Sequence, residues 1–138
     1  MPAIRRGGRE DLAAIAAIQA ACPEAAQWKP ADYLAHLLLV ATADTGVVGF
    51  VVARSVADRE FEILNLAVAP AFRRQGVSRE LLRALFYDYH GTYYLEVRES
   101  NQTAQLFYKS LGFQLVTRRP GYYDSPSEAA IVMKFHSC

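Results

Sequence analysis

Cysteine is scarce in this chain of 138 residues: there are two, Cys22 and Cys138, far apart in sequence. That excludes a disulfide framework as the source of stability and fits free thiols in a reducing compartment. The three histidines, His36, His90 and His136, share no metal-ligand spacing with one another or with a cysteine, so no metal site is expected. An excess of one charge is lacking too. The formal net charge is +1, which leaves no general basic field for nucleic acid or an anionic membrane, and any basic patch must be local. Long apolar runs are absent, the strongest being Leu37–Val40 with its neighbours, far too short to span a bilayer. Met1 to Gly8 is polar and basic with no signal-like apolar stretch behind it, so a soluble, cytoplasmic chain is expected.

What is present is a globular composition, 52% hydrophobic and 21% charged, in a length that fits one domain over residues 1–138 with a sizeable core. Ala3–Arg6 reads as a short strand. Asp11 opens a helix with Leu12, Ile15 and Ile18 on one face, ended before Pro23. A loop carrying Trp28 leads to Pro30, which suits the first turn of a second helix with Tyr33, Leu34, Leu37 and Leu38 as its buried stripe. Val40–Ala43 and Val47–Arg54 flank Asp44-Thr45-Gly46 as a hairpin, Ser55–Arg59 is a turn, and Glu60–Val68 is a long strand. A helix over Ser78–Tyr89 ends at Gly91, Tyr93–Arg98 is a strand, and Asn101 and Gly112 bracket a further helix. Gln114–Arg119 and Ala129–Phe135 are the last strands, with a loop over Pro120–Ser127 between them. The fold class is α/β (α+β), a mixed, mostly antiparallel sheet flanked by helices in the order β-α-α-β-β-β-α-β-α-β-β.

The stretch from Glu62 to Glu80 organises the chain. An apolar strand breaks at Pro70, passes Arg73, Arg74, Gln75 and Gly76, and becomes a helix. Exposed N–H groups at a helix start attract anions, glycine lets the backbone approach a ligand, and arginine adds forked donors. No Gly-Lys-Ser/Thr follows, so this is not a P-loop. Local composition also fits an arginine-rich surface turn.

Glu96 stands in an otherwise apolar strand, on the face of Tyr94 and Arg98. It is a candidate general base, or a glutamate on a wet face, or one paired with Arg98. Tyr108 belongs to the stripe Ala104, Phe107, Tyr108, Leu111, which reads first as core, and a buried hydroxyl there still needs a partner. Asn101 reads first as a helix cap. Trp28 between two prolines, and Tyr122 and Tyr123 after Pro120-Gly121, are candidate acceptor contacts or structural aromatics.

The runs L-N-L-A-V-A-P, R-R-Q-G-V, L-E-V-R-E-S-N, L-F-Y-K-S-L-G-F and R-R-P-G-Y-Y stand in that order between Glu62 and Met133. Together they resemble the GNAT acetyltransferase superfamily, and within it the bacterial ribosomal-protein-alanine N-acetyltransferases. That family's loop pattern is Q/R-x-x-G-x-G/A. Arg73 and Gly76 fill the first and fourth positions, and Ser78 departs at the sixth. Pro120-Gly121 also replaces what is usually one residue before the paired tyrosines.

The resemblance implies acetyl-CoA as cosubstrate and direct transfer of its acetyl group to an amine, foremost the α-amine of a protein or peptide N-terminus. A small amine or a lysine side chain is the nearest alternative, and a CoA-binding regulatory module without catalysis the alternative of another class. By position, the resemblance makes Leu66, Ala67 and Val68 the backbone that holds the acetyl and pantetheine groups. Arg73, Arg74, Gln75, Gly76, Val77, Ser78 and Arg79 become the pyrophosphate cradle, and Asn101 a cofactor contact. It makes Glu96 the proton acceptor and Tyr108 the proton donor. A backbone N–H near Val68 would stabilise the oxyanion.

Overall fold

The computed structural model describes residues 2–123 and 127–137. Its strands are β1 (Ala3–Arg6), β2 (Leu37–Ala43), β3 (Gly46–Ala57), β4 (Glu60–Val68), β5 (Gly91–Arg98), β6 (Gln114–Tyr123) and β7 (Glu128–Ser137). The helices are α1 (Leu12–Ala20), α2 (Val77–Asp88) and α3 (Gln102–Ser110). One seven-stranded sheet runs β1-β2-β3-β4-β5-β7-β6, antiparallel throughout except where β4 meets β5. The expected class and the order of strands are borne out.

Strand alternation sorts the core into two layers. Leu38, Val40, Phe50 and Val52 face α1, where Ile15 and Ile18 meet them. Leu39, Ala41, Val51 and Ala53 face α2 and α3. On α2 the buried residues are Val77, Leu81, Leu82 and Leu85, one stripe at helical spacing. Each buried leucine contributes roughly 1.5–3 kcal/mol of transfer free energy. β3 is covered on both sides, which is why Val48 and Phe50 to Ala53 are all buried.

Four expectations need correction. The second helix is a 3₁₀ segment over Pro30–Ala35, and Leu37 and Leu38 belong to β2. A run such as L-L-L-V suits a strand buried on both faces as well as a helix stripe, and periodicity cannot choose between them. α1 begins directly after Asp11, as expected, although the carboxylate turns back to accept from Gly8 N (2.8 Å) and from Arg5 (2.8 and 2.9 Å) instead of capping the helix. Ser55 to Ala57 continue β3 and are not part of the turn. Pro120 lies within β6. This is the outer strand of the sheet, and its pairing with β7 shifts register between Arg119 and Tyr123, so no ladder bond is asked of the proline. Residues 124–126 of the expected loop lie outside the described residues.

Gly91 is the fourth. It does not end α2, which stops at Asp88 with Tyr89 after it; it begins β5. A Cβ there would run into the backbone carbonyl of Arg59, while the next residue, Thr92, donates its N–H to that same carbonyl (2.9 Å). Backbone against backbone leaves nothing to swing aside. Gly91→Ala is therefore expected to cost about 1–3 kcal/mol or more in urea unfolding, and wild-type stability would show that the Arg59 turn yields freely.

Candidate active site

The site exists because two parallel strands part company. β4 and β5 pair only at Glu60 with Thr92, Phe61 with Tyr93 and Glu62 with Tyr94. Beyond Glu62 the pairing stops. On the other edge of β4 the register with β3 jumps, Ala53 facing Ile63 while Val52 faces Asn65, so Leu64 is an inserted residue. Such a bulge bends its strand and re-aims the side chains after it. The divergence opens a groove of about 810 Å³ between Ile63–Val68 on one wall and Leu95–Arg98 with α3 on the other.

The parted edge of β4 carries backbone donors. Ala69 N–H donates to Val48 on β3 (2.8 Å), so by alternation the N–H groups of Leu66 and Val68 face the groove. The Leu66 N–H is taken by the Asn65 side-chain oxygen (3.0 Å). The Val68 N–H has no acceptor among the described residues and is left for a ligand.

Past the end of β4 the chain turns through Arg74 (φ 62°) and Gly76 (φ 82°), both left-handed, and enters α2 with Gly76 as N-cap. Among the described residues no side chain caps the helix, and its first backbone bond is Glu80 N to Gly76 O (3.0 Å). The N–H groups of Val77, Ser78 and Arg79 therefore have no partner within the helix. They border a second pocket of about 380 Å³, contiguous with the first through Val68, Arg73, Ser78 and Phe107. The positive end of the helix dipole adds to this donor set, and a diphosphate fits it.

The arginines divide their work. Arg73 lines the pocket, but its guanidinium donates to Glu24 (2.8 Å), to the Cys22 sulfur (3.1 Å) and to Val68 O (3.4 Å). Arg79 donates to Ser110 (3.2 Å) and lies 5.8 Å from the centre of the Phe107 ring. Gln75 donates to Ala71 O (3.3 Å). Arg74 makes no hydrogen bond or ion pair among the described residues and is the cation left open to an anion.

Glu96 projects from β5 into the groove with its side chain 18% exposed. Its Oε1 accepts a hydrogen bond from the Tyr122 hydroxyl (3.3 Å). Its Oε2 is buried and accepts none among the described residues. Arg119 Nη1 lies 3.5 Å away, a Coulombic contact without hydrogen-bond geometry. Of the bland readings, a pair with Arg98 is not formed among the described residues, where Arg98 pairs with Glu128 (3.2 Å) and stacks on Tyr123. Burial first, and then the charge of Glu96, push the Tyr123 phenol up to about 12.

Tyr108, on α3, is 8% exposed and lines the same groove. Its ring packs edge-on against Phe107 and Phe113, and burial pushes its phenol well above the usual range. Asn101 caps α3, its Oδ1 accepting from Ala104 N (3.1 Å), and it also borders the groove. Tyr122 and Tyr123 meet edge-on beside Glu96. Trp28 is not in the groove wall. It is 46% exposed and joins the rest through its carbonyl, which accepts from Gln19 (2.6 Å).

Sequence reasoning missed Asn65, Gln19, Tyr33 and Arg119. A signal for Asn65 was visible, an amide in the middle of the apolar run I-L-N-L-A-V, because a buried polar side chain demands partners. Nothing local marks Arg119, which reaches Glu96 only through pairing of β6 with β7 and β7 with β5.

Parallel strands that splay at their C-terminal ends, with a phosphate cradle at the tip of one and a carboxylate on the other, make a slot for an extended acyl-thioester chain. That defines the class, an acetyltransferase using acetyl-CoA. The chain belongs to the GNAT family: the model of the acetyltransferase (GNAT) domain matches residues 35–115. It is 37% identical over 108 residues to the [ribosomal protein bS18]-alanine N-acetyltransferase of Haemophilus ducreyi, 73% of this chain and 74% of that one. To the Salmonella typhimurium protein of the same name it is 39% identical over 104 residues, 71% and 70% of the two chains. Among solved structures, Ard1 from Thermoplasma volcanium matches with a TM-score of 0.89 at 30% identity, over 99% of this chain and 98% of that one. The ribosomal-protein-alanine N-acetyltransferase of Escherichia coli matches at 0.84 and 30%, over 99% and 94%. Among the described residues no group of His, Cys, Asp and Glu is placed to hold a metal, and no helix is long and apolar enough to cross a membrane.

Proposed function

We propose that this enzyme acetylates the α-amine of a protein or peptide N-terminus in the cytoplasm, as one domain, with Glu96 as proton acceptor and Tyr108 as proton donor. The observation that carries the reading is Glu96 on the wall of the slot with a buried Oε2 that accepts no hydrogen bond among the described residues. Acetyl-CoA supplies a thioester that an amine can attack directly, so no nucleophilic cysteine or serine is required.

The N–H groups at the start of α2, with Arg74, hold the diphosphate. The parted edge of β4 along Leu66, Ala67 and Val68 directs the acyl arm, and Asn101 borders it. Glu96 takes the proton from the attacking nitrogen, with the Tyr122 hydroxyl holding the carboxylate's other oxygen in place. The Val68 N–H faces the charge that develops on the carbonyl oxygen. Tyr108 gives its proton to the departing sulfur. Only a neutral amine carries the attacking lone pair, and an α-amine, with a pKa of about 7.7–8.0 against roughly 10.4 for lysine, is the easier acceptor at neutral pH. The names of the relatives support the same class of acceptor.

Incubation with acetyl-CoA and a library of peptides differing at their N-termini, alongside lysine peptides and polyamines, tests the reading. Mass spectrometry is expected to find the acetyl group on α-nitrogens. Acetylation confined to lysine side chains or polyamines would replace this acceptor with the alternative one, and tight acetyl-CoA binding with no transfer at all would leave a binding module.

A further inference from the structure

Three polar side chains buried between α1 and β4 take no part in the chemistry above. Asn65 and Gln19 are each 6% exposed and Tyr33 is fully buried. The Tyr33 hydroxyl donates to Gln19 Oε1 (2.6 Å), and Asn65 Nδ2 lies within bonding distance of Tyr33 Oη (3.1 Å) and Gln19 Oε1 (3.2 Å). An apolar trio of similar volume would serve the core at least as well, since hydrogen bonds exchanged for bonds to water return little net stability. The outward bonds give the cluster its meaning. Asn65 Nδ2 donates to Ala26 O (2.9 Å) and Gln19 Nε2 to Trp28 O (2.6 Å), both carbonyls in the segment between α1 and the 3₁₀ turn. Cys22 through Gln27 of that segment form one border of the groove. Asn65 Oδ1 meanwhile accepts from Leu66 N on the groove edge of β4. The inserted residue Leu64 is what sets Asn65 on this face, in reach of the segment after α1.

We propose that Asn65 is a positioning residue for acetyl transfer. Its carboxamide ties the segment 22–27, which borders the groove, to the strand edge that directs the acyl arm, so that the two sides hold one separation. By occupying the Leu66 N–H it also leaves the Val68 N–H as the open donor on that edge. The assignment rests on the reading of this groove as the site of transfer. Misplacing reacting groups by about 1 Å costs on the order of 10²-fold in rate, so a slack tie is felt in turnover and not only in folding.

The test uses the intact chain with Asn65→Ala, Tyr33→Phe and the double variant. Amide exchange at Cys22 and Ala25, which donate to Gln19 O (3.1 Å) and Cys22 O (2.9 Å), should quicken about tenfold or more in Asn65→Ala and less in Tyr33→Phe. The kcat/KM for an N-terminal peptide should fall about tenfold with Asn65→Ala, while the Kd for acetyl-CoA changes less than about twofold, the cradle being untouched. In the double variant the losses should fall short of their sum, as expected of one shared network. Unchanged exchange at Cys22 and Ala25 in the variants overturns the proposal whatever the acceptor. So does a parallel loss of acetyl-CoA binding, which marks general loosening. Tyr33→Phe carries the same readouts if Asn65→Ala does not fold. A wild-type chain that leaves every N-terminus unmodified removes the proposed acceptor, and the exchange measurement still decides the tie.

Discussion

Glu96→Gln lowers turnover by roughly 10²–10⁴ at neutral pH with both substrates saturating, the range general-base catalysis supplies. The substitution keeps the shape of the side chain and its place between Tyr122 and Arg119. It replaces an oxygen that accepts a proton with an amide that cannot. Binding of acetyl-CoA should be unaffected, since the cradle at α2 is built on other elements. The readout is single-turnover acetyl transfer followed from pH 6 to pH 9. Because glutamine cannot act as a base, the residual rate should rise with pH as the α-amine sheds its proton unaided near its own pKa of about 7.7–8.0. Equal rates for the variant and the wild type would remove Glu96 from the chemistry and leave it a wall residue.

Tyr108→Phe comes next, with an expected loss of about 10²-fold, the lower end of the acid-catalysis range. Burial holds the phenol above its ordinary pKa, so the hydroxyl stays protonated through the neutral range and can serve as a donor at every pH the enzyme meets. The folded state binds this proton more tightly than the unfolded chain does. Its contribution to stability is therefore complete below the unfolded value of about 10 and is lost as pH rises beyond that. No decline from this residue should appear below that point. Tyr108→Phe keeps the ring contacts with Phe107 and Phe113, so urea unfolding should barely change while transfer slows. The opposite pattern, lost stability with intact transfer, would make Tyr108 a core residue alone.

Much of this was legible in the chain. Strand boundaries at Glu60–Val68, the helix after Gly76 and the cap at Asn101 are local signals, set by alternation, a glycine and a short amide, and all three stand in the structure. Local signals failed where tertiary context chooses. L-L-L-V became a strand because β3 was there to pair with it. Gly91 owes its place to the Arg59 carbonyl rather than to the end of a helix. Of the candidate site residues, those on β4, α2, β5 and α3 converge on one groove, whereas Trp28 stands outside its wall. What spacing could not show is which arginine faces which carboxylate. Arg73 turns to Glu24 and Arg119 to Glu96, contacts made across 49 and 23 residues of chain.

The short seam between β4 and β5 has a mechanical consequence. Four strands on one side and three on the other are joined by three residue pairs, so the two wings are kept at their angle mainly by the packing beneath them, where Leu95, Met133 and Phe113 share a core with α2. The gape of the jaws is thus a property of ordinary hydrophobic residues. A methylene added or removed there tunes the reaction from below, without touching any group that handles a proton.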